Sequence, residues 1–182
     1  MNLKKGDLLI ADPSILNDDS FNRTTILLTE YNLKNTVGFI INRPLDLYIK
    51  DVFPKIDCDF TLYEGGPVAI DSLFYIHKVP NLIPNSNKIS ENIYYGGNFE
   101  VVKDLLQAKQ VNAQEIRFFL GYTGWDKNQL ENEIESVSWF VTENNFNDLF
   151  STDDTLLWKN KILEKGGDYK IWSNAPKDVD WN

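Results

Sequence analysis

The chain has 182 residues and a mass of 21.0 kDa, a length that suits a single domain. Hydrophobic residues make up 42% and charged residues 25%, which excludes an intrinsically disordered chain. The formal net charge of −9 disfavours a nucleic-acid surface, because such surfaces need clustered Lys and Arg. One Cys and one His form neither an intramolecular disulfide nor a structural zinc cluster, so we expect no metal site and no cofactor.

The start of the chain does not predict export or membrane attachment. Only four apolar residues, Leu8–Ala11, follow the two N-terminal lysines before Asp12 interrupts them, whereas a signal peptide needs a longer apolar core. No stretch approaches the ~20 apolar residues of a membrane helix. A single Cys58 suits a reducing compartment, so we expect a cytoplasmic location.

Short apolar runs bounded by Gly, Pro, Asn or Asp predict strands. In chain order these are Leu8–Ala11, Thr24–Tyr31, Thr36–Ile41, Ser72–Lys78, Ile93–Tyr95, Glu115–Tyr122, Ser138–Thr142 and Tyr169–Trp172. The second and third flank a polar loop, which predicts a hairpin. Both are almost continuously apolar, so we expect them at the buried centre of a sheet.

Four segments predict helices: Ile49–Phe53, Phe99–Lys109, Asp126–Val137 and Asp154–Lys165. Asn98 is a suitable N-cap for the second, and Asp126 with Gln129 forms a variant of the capping box for the third. Two glycines after Lys165 end the fourth. The stretch between Val79 and Asn92 is rich in Pro, Asn and Ser and predicts a loop.

The order of these elements indicates the fold class. Strands and helices do not alternate as βαβ units, which disfavours a doubly wound parallel sheet and favours a mixed α+β domain. We expect one domain over residues 1–182, with a loosely ordered tail at 173–182.

Two segments are candidates for ligand binding. Gly65 and Gly66 can present backbone N–H groups in a concave nest that suits an anion, or they can form a tight turn that only glycine fits. Arg43 follows an apolar strand and can clamp a carboxylate or phosphate through two hydrogen bonds. Its alternative role is to pair with a nearby acid, Glu64 or Asp71.

The run Gly121-Tyr122-Thr123-Gly124-Trp125 connects a predicted strand to a predicted helix. Tyr122 and Trp125 are candidates for the wall of a ligand site, with packing in the core as the alternative. A helix N-terminus attracts anions, but Asp126 occupies that position and repels them.

The single His77 and the single Cys58 raise the possibility of a nucleophile–base pair oriented by Asp71. The acidic neighbours Asp57 and Asp59 raise the pKa of the thiol, which disfavours such a pair.

Charge is concentrated in the C-terminal third. Between Trp125 and Asn160 there are eight acidic and two basic residues, so a charge of −6 out of the net −9 lies there. All five Trp residues of the chain lie at or after position 125. Glu131, Glu133 and Glu135 are candidates for a surface that meets a basic partner, with a solvated helix face as the alternative. No EF-hand spacing supports a metal at these carboxylates.

Several segments in a fixed order resemble the AlgH/YqgE family of bacterial proteins. They are Gly6–Pro13, Phe21–Thr24, Gly38–Pro44, Gly65–Val68 and Gly121–Trp125 with Gln129-Leu130-Glu131, and the match continues to Trp139, Phe150 and Trp158. Two features depart from the family pattern: Asn128 replaces a Gly before Gln129, and Asp126 and Lys127 are more charged than usual. These changes weigh against a ligand contact at the helix start.

The resemblance implies an α+β fold with a bifurcated sheet curled into a pseudo-barrel and flanking helices. The family is largely uncharacterised and often labelled a transcriptional regulator, and it supplies no catalytic residues. Our first hypothesis is a non-enzymatic protein that binds an unknown protein partner or small ligand, with at most an indirect effect on transcription and no direct DNA binding. The second is an enzyme with one pocket around Arg43, Gly65-Gly66 and His77. A homo-oligomeric scaffold is a third hypothesis, and the oligomeric state stays open.

Overall fold

The computed structural model describes residues 3–15, 17–32, 35–144, 149–150 and 154–174. Within these ranges the strands are β1 (Leu8–Ala11), β2 (Thr25–Tyr31), β3 (Thr36–Ile40), β4 (Pro44–Tyr48), β5 (Thr61–Glu64), β6 (Val68–His77), β7 (Asn87–Ser90), β8 (Ile93–Tyr95), β9 (Ile116–Trp125) and β10 (Trp139–Thr142). The helices are α1 (Ile49–Val52), α2 (Phe99–Gln107), α3 (Gln129–Glu135), α4 (Leu157–Lys165) and α5 (Tyr169–Ser173), with 3₁₀ turns at Pro13–Ile15 and Asp154–Leu156. Of the predicted tail, residues 175–182 lie outside the described ranges.

The strands form one sheet that divides at β9. The main path runs β10-β1-β2-β3-β9-β6-β8-β7. On one side β9 pairs with β6; on the other it pairs first with β5, in parallel, and then with β3, antiparallel. Strand β4 extends the β5 branch. The bifurcated, curled sheet with flanking helices confirms the predicted α+β fold.

The predicted hairpin is confirmed. Strands β2 and β3 pair antiparallel from Ile26 opposite Ile40 to Tyr31 opposite Thr36. The aliphatic residues of β2, and Phe39 and Ile40 in β3, are fully buried, because both faces of the curled sheet are covered here.

Two apolar clusters form the core. The first joins β1, β2 and β3 to α4, where the Nε1–H of Trp158 donates to the carbonyl of Ala11 at 2.8 Å. The second lies under α2, whose Val102, Leu105 and Leu106 are buried. Asn98 caps this helix as predicted, since its Oδ1 accepts from the N–H of Glu100 at 3.0 Å.

One predicted strand is wrong. Tyr169–Trp172 belongs to α5, because Gly166 and Gly167 adopt positive φ, end α4 and return the chain onto a second helix. Short strands β4, β5 and β7 were missed, β7 lying inside the predicted loop. Their sequences are partly polar, so cross-strand pairing rather than local pattern places them in the sheet.

Helix α3 starts three residues later than predicted. Asn128 adopts a left-handed conformation with φ +64°, so regular helix begins at Gln129. The Oε1 of Gln129 still accepts from the N–H of Asp126 at 3.0 Å, which is one half of the predicted capping box.

Candidate functional site

The Gly65-Gly66 turn lies directly against Gly121 and Tyr122. The N–H of Gly65 donates to the carbonyl of Leu120 at 2.7 Å. A Cβ on Gly65 would lie 2.1 Å from the carbonyl oxygen of Gly121, and one on Gly66 would lie 2.4 Å from that of Tyr122. The structure thus joins two of the sequence motifs through a backbone contact that only glycine permits.

Beyond this contact, β6 contains a large bulge. Val68 pairs with Tyr122 and Leu73 pairs with Leu120, so the four residues 69–72 stand opposite Gly121 alone. Gly121 has φ +72°, and a Cβ there would lie 2.4 Å from the carbonyl oxygen of Gly66. Residues 68–72 are all exposed as a result, and Ile70 is 61% exposed.

Tyr122 belongs to a strip of aromatic rings beside the bulge. Its ring meets Phe74 edge-on at 5.6 Å, and Phe74 and Tyr95 both contact the buried Phe39. Tyr122, Phe74 and Tyr95 are half-buried, so the strip is partly accessible.

A cleft of about 290 Å³ continues this strip between β6, β8 and α2. It is lined by Leu73, Phe74, Tyr75, Tyr95, Gly96, Gly97 and Phe99. The hydroxyl of Tyr75 donates to the carbonyl of Gly97 at 2.9 Å, and burial raises the pKa of Tyr75 to about 12. The cleft therefore has apolar walls and stays uncharged at neutral pH.

Trp125 is buried at the end of β9 and does not reach this cleft. Its Nε1–H donates to Glu133 at 2.9 Å, and that of Trp139 donates to the same carboxylate oxygen at 2.8 Å. Glu131 accepts from the hydroxyl of Tyr31 at 2.7 Å, a hydrogen bond that raises the pKa of Tyr31. Two of the three predicted partner-surface carboxylates therefore attach α3 to the sheet.

Glu133→Ala should lower the free energy of unfolding by about 2 kcal/mol, because two indole N–H groups lose a charged acceptor. Urea unfolding followed by tryptophan fluorescence measures the loss. Glu135→Ala is the matched control: Glu135 lies two residues away on the same helix and is exposed, so little change is expected. Equal effects of the two substitutions would contradict the assigned role of Glu133.

Arg43 holds a loop in place. Its guanidinium donates to the carbonyls of Ser20 and Asn22, both at 2.9 Å, and to Glu64 at 3.2 Å. The alternative prediction, a pair with Glu64, is confirmed. These bonds connect the loop before β2 to the end of β5.

His77 is fully buried and bonded at both ring nitrogens. Nδ1 accepts from the N–H of Val79 at 3.3 Å, which assigns the proton to Nε2, 3.1 Å from the carbonyl of Gly96. Burial lowers the pKa of His77, so the ring is neutral at pH 7. Burial, together with Asp59 and Asp57, raises the pKa of Cys58.

The residues of the hypothetical enzyme pocket do not converge. Gly66 contacts Tyr122, whereas His77 pairs with Ile116, six positions away on β9. At ~3.3 Å per residue this separation is about 20 Å. Four of the cavities among the described residues have walls that include neither Arg43 nor Gly65, Gly66 or His77.

The stability of the fold should depend on pH through this one histidine. The unfolded chain takes up a proton as pH falls through 6.5, whereas the folded chain resists protonation because its His77 pKa is lowered. The free energy of unfolding should therefore fall as pH decreases from 7.5 to 5.5, and His77→Gln should remove that part of the change. Urea unfolding of both chains at the two pH values measures it. Identical pH dependences would show that His77 is not the titrating group.

Sequence reasoning missed a buried ionic cluster. The Arg117 guanidinium contacts Asp154 at 2.9 Å, with side chains 4% and 3% exposed. The hydroxyl of Tyr63 donates to Asp154, and the guanidinium lies 4.2 Å from the centre of the Tyr63 ring. Burial raises the pKa of Tyr63. The one available signal was a charged residue, Arg117, inside an apolar strand.

The cluster forms the floor of a cavity of about 310 Å³. Its walls include Pro44, Phe60, Ile116 and Phe150, with Asp59 among the polar residues. Among the residues that the structure describes, no group of three or more His, Cys, Asp or Glu side chains is arranged to hold a metal ion. In the same ranges, the helices are too short or too polar to cross a membrane.

Comparisons with known proteins agree with this architecture. The family model described as DUF179, AlgH-like, matches residues 8–170. A UPF0301 protein from Cytophaga hutchinsonii is 39% identical over 178 residues, 97% of each chain. Another, from Chlorobium chlorochromatii, is 36% identical over 176 residues, 96% of this chain and 93% of the relative.

Two solved structures share the fold. The crystal structure of a Corynebacterium diphtheriae protein superposes with a TM-score of 0.77 at 21% identity, covering 96% of this chain and 94% of the other. The solution structure of AlgH from Pseudomonas aeruginosa, a UPF0301 protein, gives a TM-score of 0.74 at 22% identity, covering 97% and 98%. Because the family model and these relatives span nearly the whole chain, the protein belongs to the AlgH-like family, UPF0301.

Proposed function

We propose that this protein is a non-enzymatic binding protein that recognises another protein through one surface, formed by residues 68–74 of β6 and by the cleft residues Tyr95–Phe99. We call it the β6 surface. The observation that carries the proposal is the bulge, which exposes five consecutive residues beside half-buried aromatic rings. Within the bulge the Ile70 side chain is 61% exposed. Exposed apolar patches of this kind mark interaction sites.

The bonding and burial of the candidate catalytic side chains support a binding function rather than an enzymatic one. Both ring nitrogens of His77 bond to the backbone, and the thiol of Cys58 is buried with a raised pKa. The guanidinium of Arg43 holds the loop before β2. The geometry therefore gives little support to the enzyme hypothesis.

Location and regulation follow as further parts of the proposal. The unpaired Cys58 suits the cytoplasm. An effect on transcription would act through the protein partner, because a net charge of −9 opposes contact with DNA phosphates.

Affinity capture from native lysate with two matched variants tests the proposal. Ile70→Asp places a charge in the middle of the β6 surface, whereas Leu163→Asp places the same charge on α4, at an apolar residue 36% exposed. A partner should be lost with Ile70→Asp and retained with Leu163→Asp. Purified, that partner should bind Ile70→Asp at least about 10-fold more weakly than the unaltered chain. Identical protein sets from both variants would contradict the proposal.

A second candidate function is the binding of a small polar ligand in the cavity above Arg117 and Asp154. The buried ion pair at the cavity floor favours it, because convergent polar groups in a concave site are typical of ligand pockets. Native mass spectrometry should show a bound small molecule that is absent from Gln114→Trp, a substitution in the cavity wall. The same bare mass for both proteins would speak against this function.

A further inference from the structure

Part of β6 presents a free strand edge. On the side of β6 that faces away from β9, only Ile76 and His77 pair with strand β8. One more backbone hydrogen bond joins the N–H of Gly96 to the carbonyl of Tyr75 at 3.1 Å. Leu73 and Phe74, and the bulge of residues 69–72 that precedes them, have no strand on that side within the described part of the chain. An open edge of this kind can pair with a strand from another molecule.

The aromatic cleft lies where this edge becomes free. Leu73 and Phe74 belong both to the free edge and to the cleft wall, and Tyr75 continues the wall. Its volume of about 290 Å³ is at the lower limit for small-molecule sites, and it suits one large side chain. Gly96 leaves its side open, since a Cβ there would meet no atom within 4 Å.

Negative charge surrounds the edge. Asp71 is exposed within the bulge, and Glu30 is exposed near Tyr95, whose hydroxyl pKa is raised by burial and by the Glu30 charge. Among the described residues neither carboxylate has a cation within ion-pair distance. A complementary partner therefore carries Lys or Arg here.

We propose that the free edge of β6 accepts an extended segment of the partner protein as an added strand. One large apolar or aromatic side chain of that segment enters the cleft, and basic residues on either side face Asp71 and Glu30. Main-chain hydrogen bonds supply affinity and the cleft supplies specificity, as in other cases of strand addition. This inference rests on the proposed function and names the chemistry of the partner. A second copy of this chain fits poorly, because its own edge brings the same negative charges.

Selection from a phage library of random decapeptides on the purified chain tests the inference. Enriched peptides should share a large apolar residue flanked by Lys or Arg. Synthesised with a fluorescent label, they should bind Asp71→Lys roughly 3- to 10-fold more weakly than the unaltered chain, by fluorescence anisotropy. Asp126→Lys makes the same charge change at an exposed residue outside the β6 surface and should leave binding unchanged. Both variants should keep the melting temperature of the unaltered chain.

N-methylation of the peptide backbone distinguishes strand addition from other modes of docking. Methylation at alternate residues should weaken binding at least about 10-fold, while methylation at the residues between them should have little effect, because only every second N–H of an added strand faces β6. No enriched peptide, or no alternation, would overturn strand addition. A dimer of this chain that Asp71→Lys dissociates would also overturn it, by showing that a second copy occupies the edge. In each case the proposed function would still hold if a captured partner is lost with Ile70→Asp and retained with Leu163→Asp.

Discussion

Asp154→Ala should lower the free energy of unfolding by about 3–5 kcal/mol, because it removes a carboxylate that forms a buried ion pair with the Arg117 guanidinium. It also removes the acceptor of the Tyr63 hydroxyl. Asp154 starts the 3₁₀ turn before α4, whereas Arg117 and Tyr63 lie on β9 and β5, so the cluster attaches the C-terminal helices to the sheet. Urea unfolding at pH 7 measures the loss.

An exposed ion pair supplies the control for this prediction. Lys4 and Glu143 lie 3.1 Å apart with most of both side chains in solvent, so Glu143→Ala should change stability little. Combining Arg117→Met with Asp154→Ala should cost clearly less than the sum of the two single losses, since the buried charge is removed together with its partner. Additive losses would show that the two side chains do not act as a pair.

Gly121→Ala should lower the free energy of unfolding by about 2–5 kcal/mol. Its φ of +72° costs an L-residue roughly 1–2 kcal/mol, and the added methyl group would lie 2.4 Å from the Gly66 carbonyl oxygen, in an overpacked contact between two backbones. Because the bulge of β6 arches over this position, the substitution should also disturb the β6 surface. Thermal or urea unfolding measures the loss in the free energy of unfolding.

Gly167→Ala separates the two causes. Gly167 also has a positive φ, +57°, but a Cβ there would meet no atom within 4 Å. Only the backbone term applies, so the loss should be roughly 1–2 kcal/mol. Equal losses at the two positions would mean that the backbone around Gly121 relaxes and that the close contact with Gly66 does not constrain it.

The glycine motifs show that a sequence pattern can locate a structurally constrained position without determining its role. The sequence predicts either an anion nest or a tight turn at Gly65 and Gly66, since both uses need glycine. The structure brings these glycines against Gly121 and Tyr122, where the N–H of Gly65 bonds to Leu120. Their conformation is explained by backbone contact, and no bound anion is needed to account for it.

Local pattern alone determined much of the architecture. The strands of the β2–β3 hairpin and the capped helix α2 were predictable, because their apolar residues and end signals lie within a few positions of one another. The Arg43–Glu64 pair was predictable as an alternative, since an isolated cation in an acidic chain finds a nearby carboxylate. The family resemblance supplied the bifurcated sheet, which hydrophobic period alone does not predict.

Only the tertiary structure decided which distant segments meet. Arg117 and Asp154 are 37 positions apart, and Glu131 reaches Tyr31 across 100 positions, so no local spacing marks these pairs. The same holds for α5, whose short stretch of aromatic and β-branched residues is typical of a strand but forms a helix after the Gly166-Gly167 turn. The sequence therefore determined which elements form where local signals agree. Non-local burial and strand pairing determined which charges are buried, which are free, and that β6 is left with an open edge.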